Sequence, residues 1–98
     1  MDHKVIIKTR AEQDITEAVE WYHIRAFHLT HQFIEEINKS ILLLQKNPAH
    51  YQKRYNEVRV LFIENFPYGV YYTIEDKTVF IHAILHTKRN PKTGIERT

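Results

Sequence analysis

The sequence predicts an α+β fold in which an antiparallel helix hairpin packs on a mainly antiparallel, four-stranded β-sheet. Two consecutive segments in the first half carry apolar residues at helical spacing. Three later segments are rich in β-branched and aromatic residues, and only short turns join them. With one short strand at the start, the element order is βααβββ, and the 98 residues are enough for a single domain.

The first strand is predicted from Lys4 to Lys8, because its three central residues are β-branched and suit a pleated sheet. Thr9 is then the predicted N-cap of the first helix, with Glu12 three positions later completing a capping box. This helix is expected to run to about Phe27. Its apolar stripe consists of Ile15, Ala18, Val19, Tyr22 and Ala26.

A second helix is predicted after a short break between His28 and Thr30. Its apolar positions are Phe33, Ile34, Ile37, Ile41 and Leu44. It should end at Asn47, since a proline disfavours helical geometry in the residue before it. So short a connection predicts an antiparallel hairpin. The following polar segment, residues 49–56, is interpreted as a loop.

The remaining strands are predicted at Val58–Glu64, Val70–Glu75 and Thr78–His86, with turns at Phe66–Gly69 and Asp76–Lys77. Short links between consecutive strands imply an antiparallel meander. Alternation in the last strand predicts two opposite faces. One carries Val79, Ile81, Ala83 and Leu85, and the other carries Phe80, His82, Ile84 and His86.

Composition excludes several kinds of site. Without cysteine, the chain has no disulfides, cysteine nucleophile or thiolate zinc site. It contains no Gly-rich phosphate loop and no GxSxG or HExxH pattern, and we expect neither a metal nor a small-molecule cofactor. No signal-peptide core and no membrane-length apolar run is present, which predicts a soluble cytoplasmic protein that does not contact membranes.

Charge is distributed unevenly along a chain whose formal net charge is only +2. Residues 11–22 carry four acids and no lysine or arginine. Residues 88–98 carry Lys88, Arg89, Lys92 and Arg97 against Glu96. This asymmetry suggests an anionic partner at one edge, and ordinary solvated surface is the alternative interpretation.

Several short motifs occur in a fixed order along this pattern. They are Ala11, Asp14-Ile15, Ala18 and Trp21-Tyr22 in the first helix, Asn47-Pro48 after the second, Phe66-Pro67-Tyr68 with Tyr71-Tyr72, and the closing residues 83–91. Their order and spacing resemble the ParE/RelE toxin superfamily over roughly residues 4–91. The resemblance implies the toxin of a bacterial type II toxin–antitoxin pair, neutralised by a cognate antitoxin.

The resemblance implies either of two activities. ParE-like members inhibit DNA gyrase, whereas RelE-like members cleave mRNA in the ribosome. RelE-like members usually carry arginine at the position of Gly69, and a tyrosine or histidine where this chain has Thr93, Gly94 and Ile95. Both differences from the RelE-like pattern disfavour a ribonuclease activity for this chain. Many ParE-like members also have that arginine, so Gly69 does not itself select gyrase.

We therefore interpret the chain as a ParE-like toxin that binds a protein target such as gyrase, and not as an enzyme. The first alternative is a RelE-like, metal-independent endoribonuclease acting on ribosome-bound mRNA, for which Arg59, His86 and Arg89 are the catalytic candidates. The second alternative is a degenerate, non-toxic module that only binds its antitoxin.

Five cationic or titratable residues are the candidate contacts with the target or antitoxin. They are Arg59, His86, Lys88, Arg89 and Lys92. The structural alternatives are an arginine whose stem packs on its neighbours, a strand-end histidine and a solvated basic tail. An extended acidic–hydrophobic antitoxin segment would suit such a basic end, and its binding should then weaken as salt rises.

The remaining histidines and two loop tyrosines have less specific patterns. His23, His28 and His31 lack the i, i+4 spacing of helical zinc ligands. On a regular strand His82 and His86 would share one face about 13 Å apart, too far to hold one metal ion. Tyr51 and Tyr55 could stack on bases, although packing within the loop is the commoner use.

Overall fold

Two helices pack on one face of a five-stranded, mainly antiparallel sheet in the computed structural model, which describes residues 2–87. The predicted α+β architecture is confirmed, with one strand more than expected. The elements are β1 (Lys4–Ile7), α1 (Thr9–Arg25), α2 (Thr30–Lys46), β2 (Lys53–Tyr55), β3 (Val58–Phe62), β4 (Tyr68–Glu75) and β5 (Thr78–His86), with 3₁₀ turns at Phe27–Leu29 and Pro48–His50. No helix within residues 2–87 is long and apolar enough to span a membrane.

The strand order is β1-β5-β4-β3-β2, with β1 parallel to β5 and all other pairs antiparallel. The additional strand, β2, lies within residues 49–56, where a loop was predicted. It has only three polar or aromatic residues and pairs irregularly with β3. A short edge strand of this kind leaves no alternating apolar pattern in the sequence, which explains why the loop prediction was wrong.

Helix α1 begins one residue earlier than predicted, and the capping-box prediction is wrong. Lys8 is the N-cap without a side-chain cap bond, Thr9 is already helical, and the Glu12 amide donates to the Lys8 carbonyl at 3.0 Å. The Lys8 amide donates to the Ile81 carbonyl at 3.0 Å. The hydrogen bond from Lys8 to β5 therefore fixes the chain up to the residue before the helix. Because Thr9 lies inside the first turn, its side chain is not at the N-cap position.

The core lies between the helices and the sheet and contains a group of mutually packed rings. Tyr22 packs on Phe33 with ring centroids 4.9 Å apart and on Phe66 at 5.3 Å, while Tyr68 lies 5.4 Å from Phe33. Such tilted and edge-on contacts stabilise the pair beyond the burial of area alone. They connect α1, α2 and the start of β4.

The apolar face of α2 differs from prediction at one position. Ile34 is exposed, whereas Ser40 is buried and its hydroxyl donates to the Glu36 carbonyl at 2.9 Å. The internal hydrogen bond satisfies the polar group, so a serine can occupy the core side of the helix. The end of α2 is held by Tyr72, whose buried hydroxyl donates to the Pro48 carbonyl at 2.6 Å.

A β-bulge interrupts the pairing of β4 with β5. Tyr71 lies opposite Ala83, but the next residue, Tyr72, lies opposite Ile81, so His82 is an additional residue in β5. One inserted residue moves every following side chain to the other face of a strand. The regular alternation predicted for β5 therefore holds only before His82.

The bulge corrects the predicted faces of β5. Val79, Ile81 and Ile84 belong to the core beneath the helices, while Ala83 and Leu85 belong to a second buried cluster. The other members of that cluster are Val58, Val60 and Tyr71, with Tyr55 packed against it. The four apolar residues predicted to share one face are in fact divided between both faces.

Candidate functional site

An open groove of about 480 Å³ lies between the second half of α1 and the adjoining ends of β4 and β5. Its lining includes Glu17, Glu20, Trp21, Ile24, Tyr68 and His86. Helix α1 packs on β5, and its residues between Asp14 and Arg25 form one wall of the groove. The groove thus combines aromatic, aliphatic and acidic side chains from three elements.

Asp14 anchors this groove from its buried side. Asp14 is 5% exposed, and its carboxylate accepts a hydrogen bond from the Ile84 amide at 2.9 Å and pairs with the Arg10 guanidinium at 3.1 Å. β1 pairs with β5 only as far as Ile81, so no strand partner lies beside Ile84 on that edge. Asp14 therefore replaces a missing backbone acceptor and holds the end of β5 against α1.

From the sequence, Asp14 was identified only as one of four acids and as part of a motif, and its contact with Ile84 was not predicted. A signal was present in the spacing. Ala11, Asp14, Ala18 and Tyr22 follow one another at intervals of three, four and four residues, and all four are buried. An aspartate within an apolar helical stripe indicates a buried polar contact, since an unpaired carboxylate would not be tolerated there.

Two large apolar side chains on the groove wall remain accessible. Trp21 is 49% exposed and Ile24 is 79% exposed. The indole packs edge-on against Tyr22 at 5.1 Å, and the Arg25 guanidinium lies 5.7 Å from its centre. The ring is therefore held in place on one side and open on the other.

Of the predicted site residues, Arg59 and His86 fall within the described part of the chain, and these two do not come together. Arg59 donates to the carbonyls of Ala49 at 3.2 Å and Tyr51 at 2.6 Å, and so ties the segment after α2 to β3. His86 packs its ring on Tyr68 at 5.5 Å. Lys88, Arg89 and Lys92 lie outside the described residues, and their roles stay predictions.

The separation of Arg59 from His86 follows from strand register. Arg59 lies opposite Tyr72 and His86 opposite Tyr68, on the two strands that flank β4. Four residues along a strand correspond to about 13 Å. An acid and a base acting on one phosphodiester must both lie within hydrogen-bond reach of it. This pair therefore does not form a joint catalytic centre in the described arrangement.

Gly69 lies under apolar side chains on the face of the sheet away from the helices. A Cβ at this position would be 2.9 Å from the Val60 Cγ2 atom and 3.2 Å from the Tyr71 ring. Both neighbours are almost completely buried. The position where RelE-like members carry arginine is therefore closed by close packing.

The bulge places His82 and His86 on opposite faces of β5, which corrects the prediction that they share one. His82 Nε2 lies 2.7 Å from the Thr73 hydroxyl, whereas His86 packs on Tyr68 at the helical side. Burial lowers the pKa of His82, the nearby charge of Lys8 lowers it further, and Glu75 acts in the opposite direction. The folded chain thus favours the neutral imidazole.

The lowered pKa of His82 predicts an acid-sensitive contribution to stability. This contribution is present above the ordinary histidine pKa of about 6.5 and is lost as pH falls from there through the lowered pKa. We expect His82→Gln to show a smaller decrease in the free energy of unfolding than the wild type between about pH 8 and about pH 5. Urea titrations at a series of pH values measure how the free energy of unfolding changes with pH in the wild type and in His82→Gln. Thr73→Ser, which retains the hydroxyl, is the control and should follow the wild type; equal slopes for wild type and His82→Gln would contradict the prediction.

The other singled-out side chains take part in packing. Tyr51 packs against the main core and Tyr55 against the second cluster. His31 pairs with Glu35 at 2.8 Å on α2. Within residues 2–87, no group of three or more metal-ligating side chains is arranged to hold a metal ion.

Comparisons with known proteins give one family. A family profile described as the ParE toxin of the type II toxin–antitoxin system, parDE, matches residues 5–91. Among solved structures, the chain is similar to one from the chromosomal ParDE TA system of P. aeruginosa, with a TM-score of 0.76 and 17% identity. That match covers 86% of this chain and 95% of the other. No curated protein matches the sequence.

Proposed function

Because the chain belongs to the ParE toxin family of type II toxin–antitoxin systems, we propose that it inhibits DNA gyrase by binding and that a cognate antitoxin neutralises it. The observation that favours this proposal over the ribonuclease alternative is the close packing of Val60 and Tyr71 around Gly69. A ribonuclease needs cations around the phosphate in flight, and this position has no room for an arginine. Inhibition by binding needs no such group.

The surroundings of the other candidate residues support the same choice. The Arg59 side chain is already engaged with two backbone carbonyls, and His86 is offset from it by four residues along β4. Transition-state stabilisation requires donors and proton-transfer groups that converge on one reacting centre. Among the described residues these two do not converge, which favours an inhibitor over an endoribonuclease.

Supercoiling by purified gyrase tests the proposal. Relaxed plasmid, gyrase and ATP are incubated with increasing amounts of the protein, and topoisomers are separated on agarose. We expect supercoiling to decrease with dose. Preincubation with an equimolar amount of the small protein encoded by the neighbouring gene should restore it, because the toxin would already be occupied.

Two other results would replace the proposal. Normal supercoiling together with cleavage of ribosome-bound mRNA would assign the ribonuclease activity. Normal supercoiling, intact mRNA and unaffected growth when the protein is expressed without its neighbour would assign a non-toxic antitoxin-binding module.

A further inference from the structure

We propose that the groove between α1 and the ends of β4 and β5 binds an amphipathic segment of the antitoxin that combines bulky apolar side chains with a lysine or arginine. The inference rests on the proposed neutralisation by an antitoxin, and it specifies where on this chain the segment lies and what chemistry it carries. It differs from the acidic segment expected at the C-terminal basic cluster, so the two would be separate parts of one partner.

The bulky apolar side chains that we propose for the partner segment are inferred from the exposed side of α1. Trp21 and Ile24 are one helical turn apart, both line the groove, and both are exposed. Single exposed apolar residues are ordinary, but neighbouring exposed apolar side chains in a groove rimmed by polar groups are typical of an interaction site. A partner segment would cover the indole on the side that Tyr22 and Arg25 leave open.

The lysine or arginine that we propose for the partner segment is inferred from two acidic residues on the same wall of the groove. Glu17 and Glu20 line the groove, and neither forms an ion pair with any residue in the described part of the chain. Glu17 lies one turn before Trp21, so a cation reaching it would stand beside the exposed apolar side chains. Within residues 2–87, Arg25 is the only lysine or arginine that lines the groove, and it lies over the indole at the other end. Charge complementarity therefore favours a basic side chain near Glu17.

The same charges argue against a nucleic acid in this groove. Phosphate groups would meet two carboxylates, and electrostatic binding to a nucleic acid depends on neutralising phosphates with lysine or arginine. A protein segment with apolar anchors and one cation satisfies both features of the wall.

Trp21 is the only tryptophan in the chain, so its fluorescence reports directly on the groove. The probe is the protein encoded by the neighbouring gene, with any tryptophan of its own replaced by phenylalanine. On titration into the toxin we expect the emission maximum of Trp21 to move to shorter wavelength, because the half-exposed indole would become covered. Calorimetry in parallel gives the dissociation constant.

Matched variants separate the groove from the rest of the surface. Ile24→Ala and Glu17→Lys should each raise the dissociation constant by about tenfold or more, as expected for central contacts of an interface. Leu42→Ala removes another exposed apolar side chain, from α2, and Glu12→Lys makes the same charge change earlier on α1, outside the groove. Both controls should stay within about twofold of the wild type. Circular dichroism melts show that every variant is folded.

The groove would not be the antitoxin-binding site if binding left the emission of Trp21 unchanged, or if the test and control variants weakened binding equally. Neither result would contradict the proposed function. An Ile24→Ala variant that binds the antitoxin normally but no longer inhibits gyrase would assign the groove to the target. If wild-type toxin inhibits gyrase but does not bind the neighbouring protein, both this inference and the proposed neutralisation fail, whereas gyrase inhibition stands.

Discussion

Replacement of Asp14 by alanine is expected to lower the free energy of unfolding by about 2–3 kcal/mol. The buried carboxylate accepts the Ile84 amide at 2.9 Å and pairs with Arg10 at 3.1 Å, and alanine offers neither contact. The Ile84 amide would then lie next to the edge where β1 has ended, without a side-chain acceptor. Urea unfolding followed by circular dichroism measures the loss.

Two companion variants make the Asp14 prediction specific. Asp14→Asn keeps an oxygen for the Ile84 amide but removes the charge that attracts Arg10, so it should recover part of the lost stability. Gln13→Ala changes an exposed position on the same helix and should alter stability by less than about 0.5 kcal/mol. If Asp14→Ala changed the free energy of unfolding as little as Gln13→Ala, the contact between Asp14 and β5 would not contribute to stability.

Introducing arginine at Gly69 is expected to cost about 1–3 kcal/mol without creating ribonuclease activity. The new Cβ would approach the Val60 Cγ2 atom to 2.9 Å and the Tyr71 ring to 3.2 Å, and both are held in a buried cluster. Gly69 does not have a positive φ angle, so the loss would come from crowding and not from backbone strain. Thermal or urea unfolding gives the cost.

Gly69→Ala distinguishes the effect of the Cβ from that of the guanidinium. Alanine restricts the unfolded chain, which stabilises by about 0.4–1 kcal/mol, but the same close contacts should outweigh this gain. Ribosome-bound mRNA provides the second readout for Gly69→Arg. A stable Gly69→Arg protein that cleaves this mRNA would contradict the packing argument and reopen the ribonuclease alternative.

The helices and the long strands were predictable because their signals are local. The apolar stripe of α1 and the proline after α2 placed both helices to within two residues, and β5 was predicted with both ends correct. The prediction of β2 failed because three residues at an edge bury too little to impose a pattern. The face assignment of β5 failed because pairing with β4, and not the sequence of β5 alone, decides where His82 bulges.

The candidate site was less predictable than the fold. Arg59 was correctly placed within a strand, but only the structure shows its hydrogen bonds to the carbonyls of Ala49 and Tyr51. Trp21 was noted as part of a motif, whereas the groove beside it depends on how α1 lies beside the ends of β4 and β5. Because the groove is formed by elements that are distant in sequence, no sequence pattern within a single element predicts it.

By itself, the sequence determined the two helices and the longer strands, the helix hairpin and the family-like order of motifs, because periodicity, proline and turn residues act over a few positions. Only the tertiary structure decided that Asp14 holds the end of β5, that Tyr71 and Val60 close the position of Gly69, and that Trp21 borders an open acidic groove. Each of these depends on contacts between residues far apart in the chain. Their geometry is set by strand register and helix packing, which no local pattern specifies.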